Sequence, residues 1–390
     1  MQAHYANRIT NLSESITIAI STLARELKAQ GKDILSFSAG EPDFDTPQVI
    51  KDAAIKAINE GFTKYTATVG IPELLSAISD KLVRDNNLNY SAKEIIVTSG
   101  AKHALFNVFQ ALIDKDDEVI VPNPYWVTYP ELVTFSNGKN VFIETSQENH
   151  FKITTEQLKS AITSKTKMLI LTTPSNPTGM VYSREELEAI GEVLKGTNIW
   201  VLSDEIYEKL VYDGTFTSAG SVSSDMLDRT ITINGLSKAV AMTGWRMGYL
   251  ATKDQKLCKF INGFQSQSLS NINSITQKAA IVGLNGSADK DIEQMCVAFK
   301  QRRDFACEKI NAIKGLKVTK PDGAFYLFIN CSSITKDSMQ FCKDMLEQVG
   351  VATVPGIGFG MDGYFRFSFA TDLKSIEEGI QRISNFVSKY

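Results

Sequence analysis

The sequence predicts an α/β protein, with a mainly parallel central sheet covered by helices on both faces and a smaller α+β domain beside it. Three observations lead there. Between residues 95 and 252, short apolar or β-branched runs alternate with amphipathic helical segments, the rhythm that builds parallel strands through crossover helices. Residues 289–314 then read as one long charged helix, long enough to cross to a second unit. Beyond it the order changes to antiparallel strands with helices: strands at 316–318, 324–329, 351–354 and 364–369, and a helix at 337–349. The division expected is an N-terminal arm and part of the small domain at 1–45, a large domain at 46–288 and a small C-terminal domain at 289–390.

In chain order, Ile16-Thr17-Ile18-Ala19-Ile20 runs into Leu23, Ala24 and Leu27 at helical spacing. Ile34-Leu35-Ser36-Phe37 leads into the turn-rich Ala39-Gly40-Glu41-Pro42-Asp43-Phe44. Thr46-Pro47 reads as a helix start, with Thr46 as cap and Pro47 in the first helical position, and that helix ends near Gly61. Thr63-Lys64-Tyr65-Thr66 precedes a polar loop and a helix opened by Pro72. Ile95-Ile96-Val97-Thr98 is a buried strand, followed by Ser99-Gly100-Ala101-Lys102 and a helix carrying Ala104, Leu105, Val108, Phe109 and Leu112. Such a strand, small-residue turn and helix N-terminus can bind an anion, although the same turn is common in ordinary βα units.

The rhythm continues with strands at 118–121 and 140–143, a helix at 155–162 and a strand at 168–171. Ser183 and Glu186 form a capping box before the next helix, and a strand follows at 199–202. Thr230-Ile231-Thr232-Ile233 and Tyr249-Leu250-Ala251 flank a tight connection that would set Lys238 at a sheet edge. In the last helix Ile376, Ile380, Ile383 and Val387 share one face. The chain shows no internal repeat.

Composition narrows the function. A chain of 390 residues with 43% hydrophobic content is long enough for one large domain and a smaller one. A formal net charge of −3, with Lys and Arg scattered, gives no footprint for nucleic acid. No apolar run approaches the ~20 residues of a membrane span, and Met1-Gln2-Ala3-His4 begins no secretory segment, so a cytoplasmic protein is expected. Cys258, Cys296, Cys307, Cys331 and Cys342 are odd in number and contain no C-x-x-C pair, and His4, His103 and His150 are far apart. That argues against a disulfide framework, a structural zinc site or a serine-hydrolase triad, and no metal is expected. Pro355-Gly356-Ile357-Gly358-Phe359-Gly360 has the wrong spacing and context for a dinucleotide loop.

The chemistry-bearing residues cluster at strand ends. Lys238 follows Ser237 and stands eight residues before Arg246, in Gly244-Trp245-Arg246-Met247-Gly248. An amine near other cations and partly out of water loses its proton readily and condenses with carbonyls, and a guanidinium beside it can hold an anion. That pair suits pyridoxal phosphate; a surface lysine is the bland alternative. Asp204, at the end of a strand, can hold a pyridine nitrogen protonated or merely cap a helix, and Tyr207 lies three residues on. Asn176, bracketed by Pro174 and Pro177, and Trp126 in Pro124-Tyr125-Trp126 present an amide and an indole at strand ends, for a planar ring or for packing. Arg366 alternates with Phe365 and Phe367 and needs an anion, from a substrate carboxylate or from a structural salt bridge.

Taken in order, Asn176-Pro177-Thr178-Gly179, Asp204-Glu205-Ile206-Tyr207, Ser237-Lys238 and Gly244-Trp245-Arg246-Met247-Gly248 closely resemble the class I pyridoxal-phosphate aminotransferases. The resemblance runs from Gly40-Glu41-Pro42-Asp43-Phe44 to Arg366, and is strongest to the prokaryotic-type aspartate aminotransferases through Thr63-Lys64-Tyr65, Gly100-Ala101-Lys102 and Pro124-Tyr125-Trp126-Val127. It implies the type I fold of pyridoxal-phosphate transferases, with residues 46–288 as the cofactor-binding domain. It further implies that Lys238 is the Schiff-base lysine and proton shuttle, Asp204 the partner of the pyridine nitrogen, Tyr207 and Asn176 ligands of the ring hydroxyl, and Trp126 its stacking partner. Gly100, Ala101, Ser237 and Arg246 would hold the phosphate, with Tyr65 reaching in from the second subunit of a homodimer.

By the same resemblance Gly40, Trp126, Asn176 and Arg366 would meet the amino-acid substrate, and Lys102, Ser15 and Thr17 its distal carboxylate. One departure stands: some relatives carry a phosphate-binding serine three residues before the lysine, where this chain has Gly235. The activity implied is ping-pong amino transfer from L-aspartate to 2-oxoglutarate. Aromatic, alanine or prephenate-type substrates, or a lyase outcome, are the alternatives, and a cofactor-sensing DNA-binding regulator lacks a basic segment in this sequence.

Overall fold

The structure is a computed structural model, and it describes residues 5–13 and 16–390. Its strands are β1 Leu35–Ser36, β2 Ile95–Thr98, β3 Glu118–Asn123, β4 Lys139–Glu144, β5 Thr166–Thr172, β6 Trp200–Asp204, β7 Thr230–Gly235, β8 Gly248–Ala251, β9 Lys317–Val318, β10 Tyr326–Asn330, β11 Val351–Ala352, β12 Val354–Pro355 and β13 Tyr364–Ser368. The central sheet has the order β2-β8-β7-β6-β5-β3-β4, and only β8 runs antiparallel to its neighbours. Runs such as Ile95-Ile96-Val97-Thr98 are buried along their whole length because both faces of the sheet are covered.

One face packs Ile96, Leu202, Ile231, Ile233 and Leu250 against helices Ala101–Leu112 and Gln255–Ser268. On the other, Val97, Tyr249 and Ala251 meet helices Pro72–Asn86 and Ser274–Leu284, while Leu169, Leu171 and Val201 meet Arg184–Leu194. The capping box forms as expected: Glu186 N donates to Ser183 Oγ at 3.2 Å and Ser183 N to Glu186 Oε2 at 2.7 Å.

Beyond helix Asp289–Asn311, strands β12-β13-β10-β9 make an antiparallel sheet packed by helices Ser338–Val349 and Leu373–Val387. Strand β1 pairs in parallel with β11, which ties residues 35–36 to the C-terminal elements. Between β1 and the first helix of the large sheet lies the loop containing Gly40.

Three expectations need correction. Thr46 caps nothing: the helix is Gln48–Asn59 with Pro47 at its cap, and the Thr46 hydroxyl donates to Ala241 O at 2.8 Å while accepting from Trp245 Nε1 at 3.0 Å. Tertiary partners took the hydroxyl that local chemistry offered to the helix. Lys238 is not at a sheet edge, since β7 and β8 lie inside the sheet and β2 and β4 are its outer strands. Helices Thr128–Phe135, Ser224–Arg229, Gln255–Ser268 and Ser274–Leu284 were not anticipated. The first is short, contains Pro130 and buries only Tyr129 and Val133, which is too little periodicity to read.

A glycine on β8 lets the sheet approach the turn after β2. Gly235 and Gly248 are paired across β7 and β8, and a Cβ on Gly248 would overlap the backbone of Gly100 and Ala101. Gly248→Ala is therefore expected to lower the unfolding free energy by about 2 kcal/mol, since the obstacle is backbone rather than a yielding side chain. Chemical denaturation checks this, and an unchanged midpoint would show that the turn can retreat.

Candidate active site

Residues from the carboxyl ends of β5, β6 and β7, from the turn after β2 and from the segment after β3 converge on one cavity of about 220 Å³. This is where an open, mainly parallel sheet places its ligands, because connections leaving the strand ends diverge where the strand order reverses, here between β3 and β5. Its walls include Thr17, Gly40, Ala101, Lys102, Trp126, Asn176, Asp204, Tyr207, Ser237, Lys238, Arg246 and Arg366.

Asp204 ends β6 and is 3% exposed. Tyr129 OH donates to its Oδ2 at 2.8 Å and itself accepts from Thr172 Oγ1 at 2.8 Å, so the carboxylate is held from the side by a two-step relay. The Ile206 amide also reaches Oδ1, at 3.3 Å, closing a turn; no helix starts there, so the helix-cap alternative for Asp204 is not met. Burial pushes the acid up to about 6, opposed by the Tyr129 and Ile206 hydrogen bonds and by the Lys238 charge. A buried carboxylate of this kind gains from a cation placed against it.

Lys238 leaves the end of β7 and its Nζ donates to the Gly40 carbonyl. Burial pulls its amine down to about 8, with Arg366 and Arg246 pushing the same way against Glu41 and Asp204. The neutral amine is thus accessible near physiological pH, as a nucleophile or a proton carrier.

Arg366 is 2% exposed and makes no ion pair among the described residues. Its Nη1 donates to Asn176 Oδ1 at 2.8 Å and its Nη2 to Ser38 O at 2.9 Å, while Nε has no partner. The guanidinium lies over the Tyr326 ring at 4.3 Å, and Tyr326 OH meets Tyr207 OH at 2.8 Å. The structural salt bridge considered for Arg366 is therefore not formed.

Arg246 has φ of +56° and donates only to carbonyls, Thr243 O at 2.8 Å and Ser99 O at 3.3 Å. A Cβ on Gly100, which has φ of +81°, would strike that guanidinium, so the glycine makes the cradle. Lys102 Nζ lies 4.8 Å from the Trp126 ring centroid, and its amine is pulled down by burial and by Arg246.

Of the residues singled out from sequence, Tyr65 stands apart: it is 91% exposed and outside the cavity. Ser15 lies outside the described residues. Gly100 shapes the turn behind Arg246 rather than the cavity wall. Tyr129, Thr172, Thr243 and Tyr326 are wall residues that sequence reasoning missed. Tyr129 had a signal, three residues after Trp126 and so on the same side of a helical turn. Tyr326 had none, because it comes from the other sheet. At Gly235 a Cβ would come within 2.7 Å of Met247 O, so no side chain could stand there.

This donor set fits pyridoxal 5′-phosphate: an amine for its carbonyl, a buried carboxylate for its ring nitrogen, an amide and a phenol for its ring oxygen, and a glycine turn with an arginine for its phosphate. Fold and site together define a pyridoxal-phosphate-dependent transferase of the type I fold. The chain matches the family model for class I and II aminotransferases over residues 32–383. It is 47% identical to the aspartate aminotransferase of Bacillus subtilis, with 99% of each chain covered. It is 46% identical to a probable aspartate/prephenate aminotransferase of Rickettsia felis, over 97% of this chain and 95% of that one. The structure of Thermus thermophilus aspartate aminotransferase with maleate superposes with a TM-score of 0.95 at 40% identity, covering 98% of this chain and 100% of that one. The chain belongs to the class I and II aminotransferases.

The Asp204 carboxyl yields a pH-dependent test. Its folded value of about 6 lies above the ordinary 3.8, so the unfolded state binds fewer protons between them and the burial cost is fully present above about 6. In the cofactor-free protein, Asp204→Asn should gain stability over the wild type as pH rises from 4 to 7, by about 3 kcal/mol at the upper end. Urea unfolding at both pH values checks it; a difference that does not change with pH would count against a charged, buried Asp204.

Proposed function

We propose that the protein is an aspartate aminotransferase, transferring the amino group of L-aspartate to 2-oxoglutarate in two half-reactions and yielding oxaloacetate and L-glutamate. The observation that carries this is electrostatic: four cations, Lys102, Lys238, Arg246 and Arg366, line a cavity whose one lining carboxylate among the described residues is Asp204. None of the four is ion-paired among the described residues. A phosphate and two carboxylates would complement them, and maleate, found in the Thermus relative's structure, is a dicarboxylate.

In this reading Arg366 holds the substrate α-carboxylate, with Asn176 and Ser38 fixing the guanidinium and Gly40 and Trp126 bordering the substrate. Lys102 and Thr17, with Ser15 from the arm, receive the distal carboxylate. Gly100, Ala101, Ser237 and Arg246 hold the phosphate, Trp126 stacks on the ring, and Tyr207 and the free Nδ2 of Asn176 hydrogen-bond its oxygen. When bound, pyridoxal phosphate supplies a conjugated ring that accepts the electron pair left on the substrate α-carbon. Lys238 Nζ, neutral in part near pH 8, takes the α-proton and returns it one position away. Asp204, steadied by Tyr129, holds the proton on the ring nitrogen that makes the ring an effective acceptor.

The reading includes a cofactor-binding domain at 46–288, a small domain at 289–390 joined by part of 1–45, and a cytoplasmic homodimer. No helix among the described residues is long and apolar enough to cross a membrane. Support for the dimer is Tyr65, at 91% exposure, and the exposed Ile55 and Ile58, which border an open hollow that also contains Arg246. A prephenate-type acceptor is the second reading, favoured by the Rickettsia relative and by a further hollow of about 450 Å³ beyond Lys102, lined by Phe106, Tyr125, Leu132 and Phe135.

Borohydride treatment of the cofactor-loaded protein should attach the label to the peptide containing Lys238; label on another lysine would remove that residue from the centre. Lys102→Ala should lower kcat/KM for aspartate by about 10²-fold, as expected for an unpaired anion in a closed site, with a smaller loss for phenylalanine and little loss of cofactor. Equal losses for both donors would take Lys102 out of the distal subsite. Mixing Tyr65→Ala with Lys238→Ala under proven subunit exchange should restore part of the activity, since one hybrid site would contain both native residues.

A further inference from the structure

A second set of polar side chains is buried on the sheet face opposite the cavity. Ser203 and Glu205 alternate with Asp204 along the end of β6, so they project to the other side. Glu205 is fully buried and accepts from Ser203 Oγ at 2.8 Å, from the Ala219 amide at 3.1 Å and from Ser218 Oγ. Ser218 Oγ accepts in turn from Asn86 Nδ2 at 3.1 Å, and that amide also donates to Glu208. Lys81 closes the chain, with Nζ donating to Asn86 Oδ1 at 2.7 Å and to Glu208 Oε1. Lys81, Asn86 and Glu208 are 4%, 4% and 8% exposed. One residue further, Lys209 pairs with Asp85 at 2.7 Å.

Stability alone is a poor account of this arrangement. Desolvating two carboxylates and an ammonium costs several kcal/mol per ion, and well-packed apolar side chains in their place are often no less stable. Its placement is more telling. Asp204 and Tyr207 reach forward into the cavity; Glu208, interleaved with them, reaches back to Lys81 and Asn86 at the C-terminal end of helix Pro72–Asn86, and Glu205 is joined to Asn86 through Ser218. The intervening backbone is tight, with Glu205 N donating to Ile233 O at 2.9 Å and Glu208 N to Glu205 O at 3.0 Å. Any rotation of this turn that freed the rear carboxylates would also swing Asp204 and Tyr207.

We infer that Glu205 and Glu208, anchored through Ser218, Asn86 and Lys81, are positioning residues that set the reach of Asp204 and Tyr207 into the cavity. This rests on the assignment of Asp204 and Tyr207 to the cofactor. Two sets of variants test it, read by cofactor retention in equilibrium dialysis, by kcat and KM, and by thermal unfolding of the cofactor-free protein. Lys81→Met/Glu208→Leu removes both charges while filling their space, so its unfolding midpoint should stay at or above the wild-type value. Its cofactor retention should fall, and kcat should drop by about 10²-fold, as for a misplacement of about 1 Å, with KM for the amino donor little changed. Glu205→Gln, which keeps the acceptor and the shape, should stay close to wild type, whereas Glu205→Ala should show the same losses as the double variant. Wild-type kcat and cofactor retention in both the double variant and Glu205→Ala would overturn the inference, as would losses that only follow the unfolding midpoint. If the double variant does not fold, the Glu205 pair decides. Asp204→Ala separates the two layers: if it too retains cofactor and kcat, the site assignment has failed; if it loses them while the rear variants do not, only the clamp has.

Discussion

Positive charge left without an ion-pair partner among the described residues is the constraint on which the cavity depends. Arg366 is buried against Asn176, Ser38 and the Tyr326 ring, and none of these is an anion. Arg246 is directed by two carbonyls, and Lys102 rests over an indole. A buried guanidinium of this kind is costly until an anion arrives, so the fold is stabilised by its ligands at the point where chemistry is needed. Burial pulls the Lys238 amine down toward neutrality, and Arg366 and Arg246 add to it against Glu41 and Asp204.

The cations come from elements that are distant in sequence, and each is directed by backbone. Gly248 lets the turn after β2 lie against β8, and Arg246 fits the space left by the missing side chain of Gly100. Arg366 belongs to the C-terminal sheet and reaches Asn176 beyond the end of β5, so the guanidinium proposed to hold a carboxylate sits where the two sheets meet.

Asp204 is restrained from two sides. In front, Thr172 and Tyr129 form a relay to its carboxylate; behind, Glu205 and Glu208 tie the same turn to Lys81, Asn86 and Ser218. A carboxyl raised to about 6 in a dry site is poorly placed to stabilise the empty fold and well placed to hold a ring cation. The protein accepts a local cost in the free state that its cofactor offsets.

The sequence by itself determined the architecture and most of the site, because both rest on local patterns. Buried strands such as Ile95-Ile96-Val97-Thr98, the Ser183 and Glu186 capping box and the long helix after Asp289 follow from period and capping within a few residues. Lys238, Asp204, Asn176 and Arg246 were legible because small, proline- or glycine-flanked turns at strand ends mark them. Tertiary structure alone decided what depends on partners far away in the chain. Thr46 gave its hydroxyl to Ala241 instead of a helix, β8 was inserted between β2 and β7 so that the turn carrying Lys238 joins two inner strands, and Tyr326 entered the cavity from another sheet. It also decided that the Arg366 Nε would be left without a hydrogen-bond partner among the described residues. No window of sequence contains those partners, since a side chain's hydrogen bonds and counter-charges are set by what folding brings within about 3 Å.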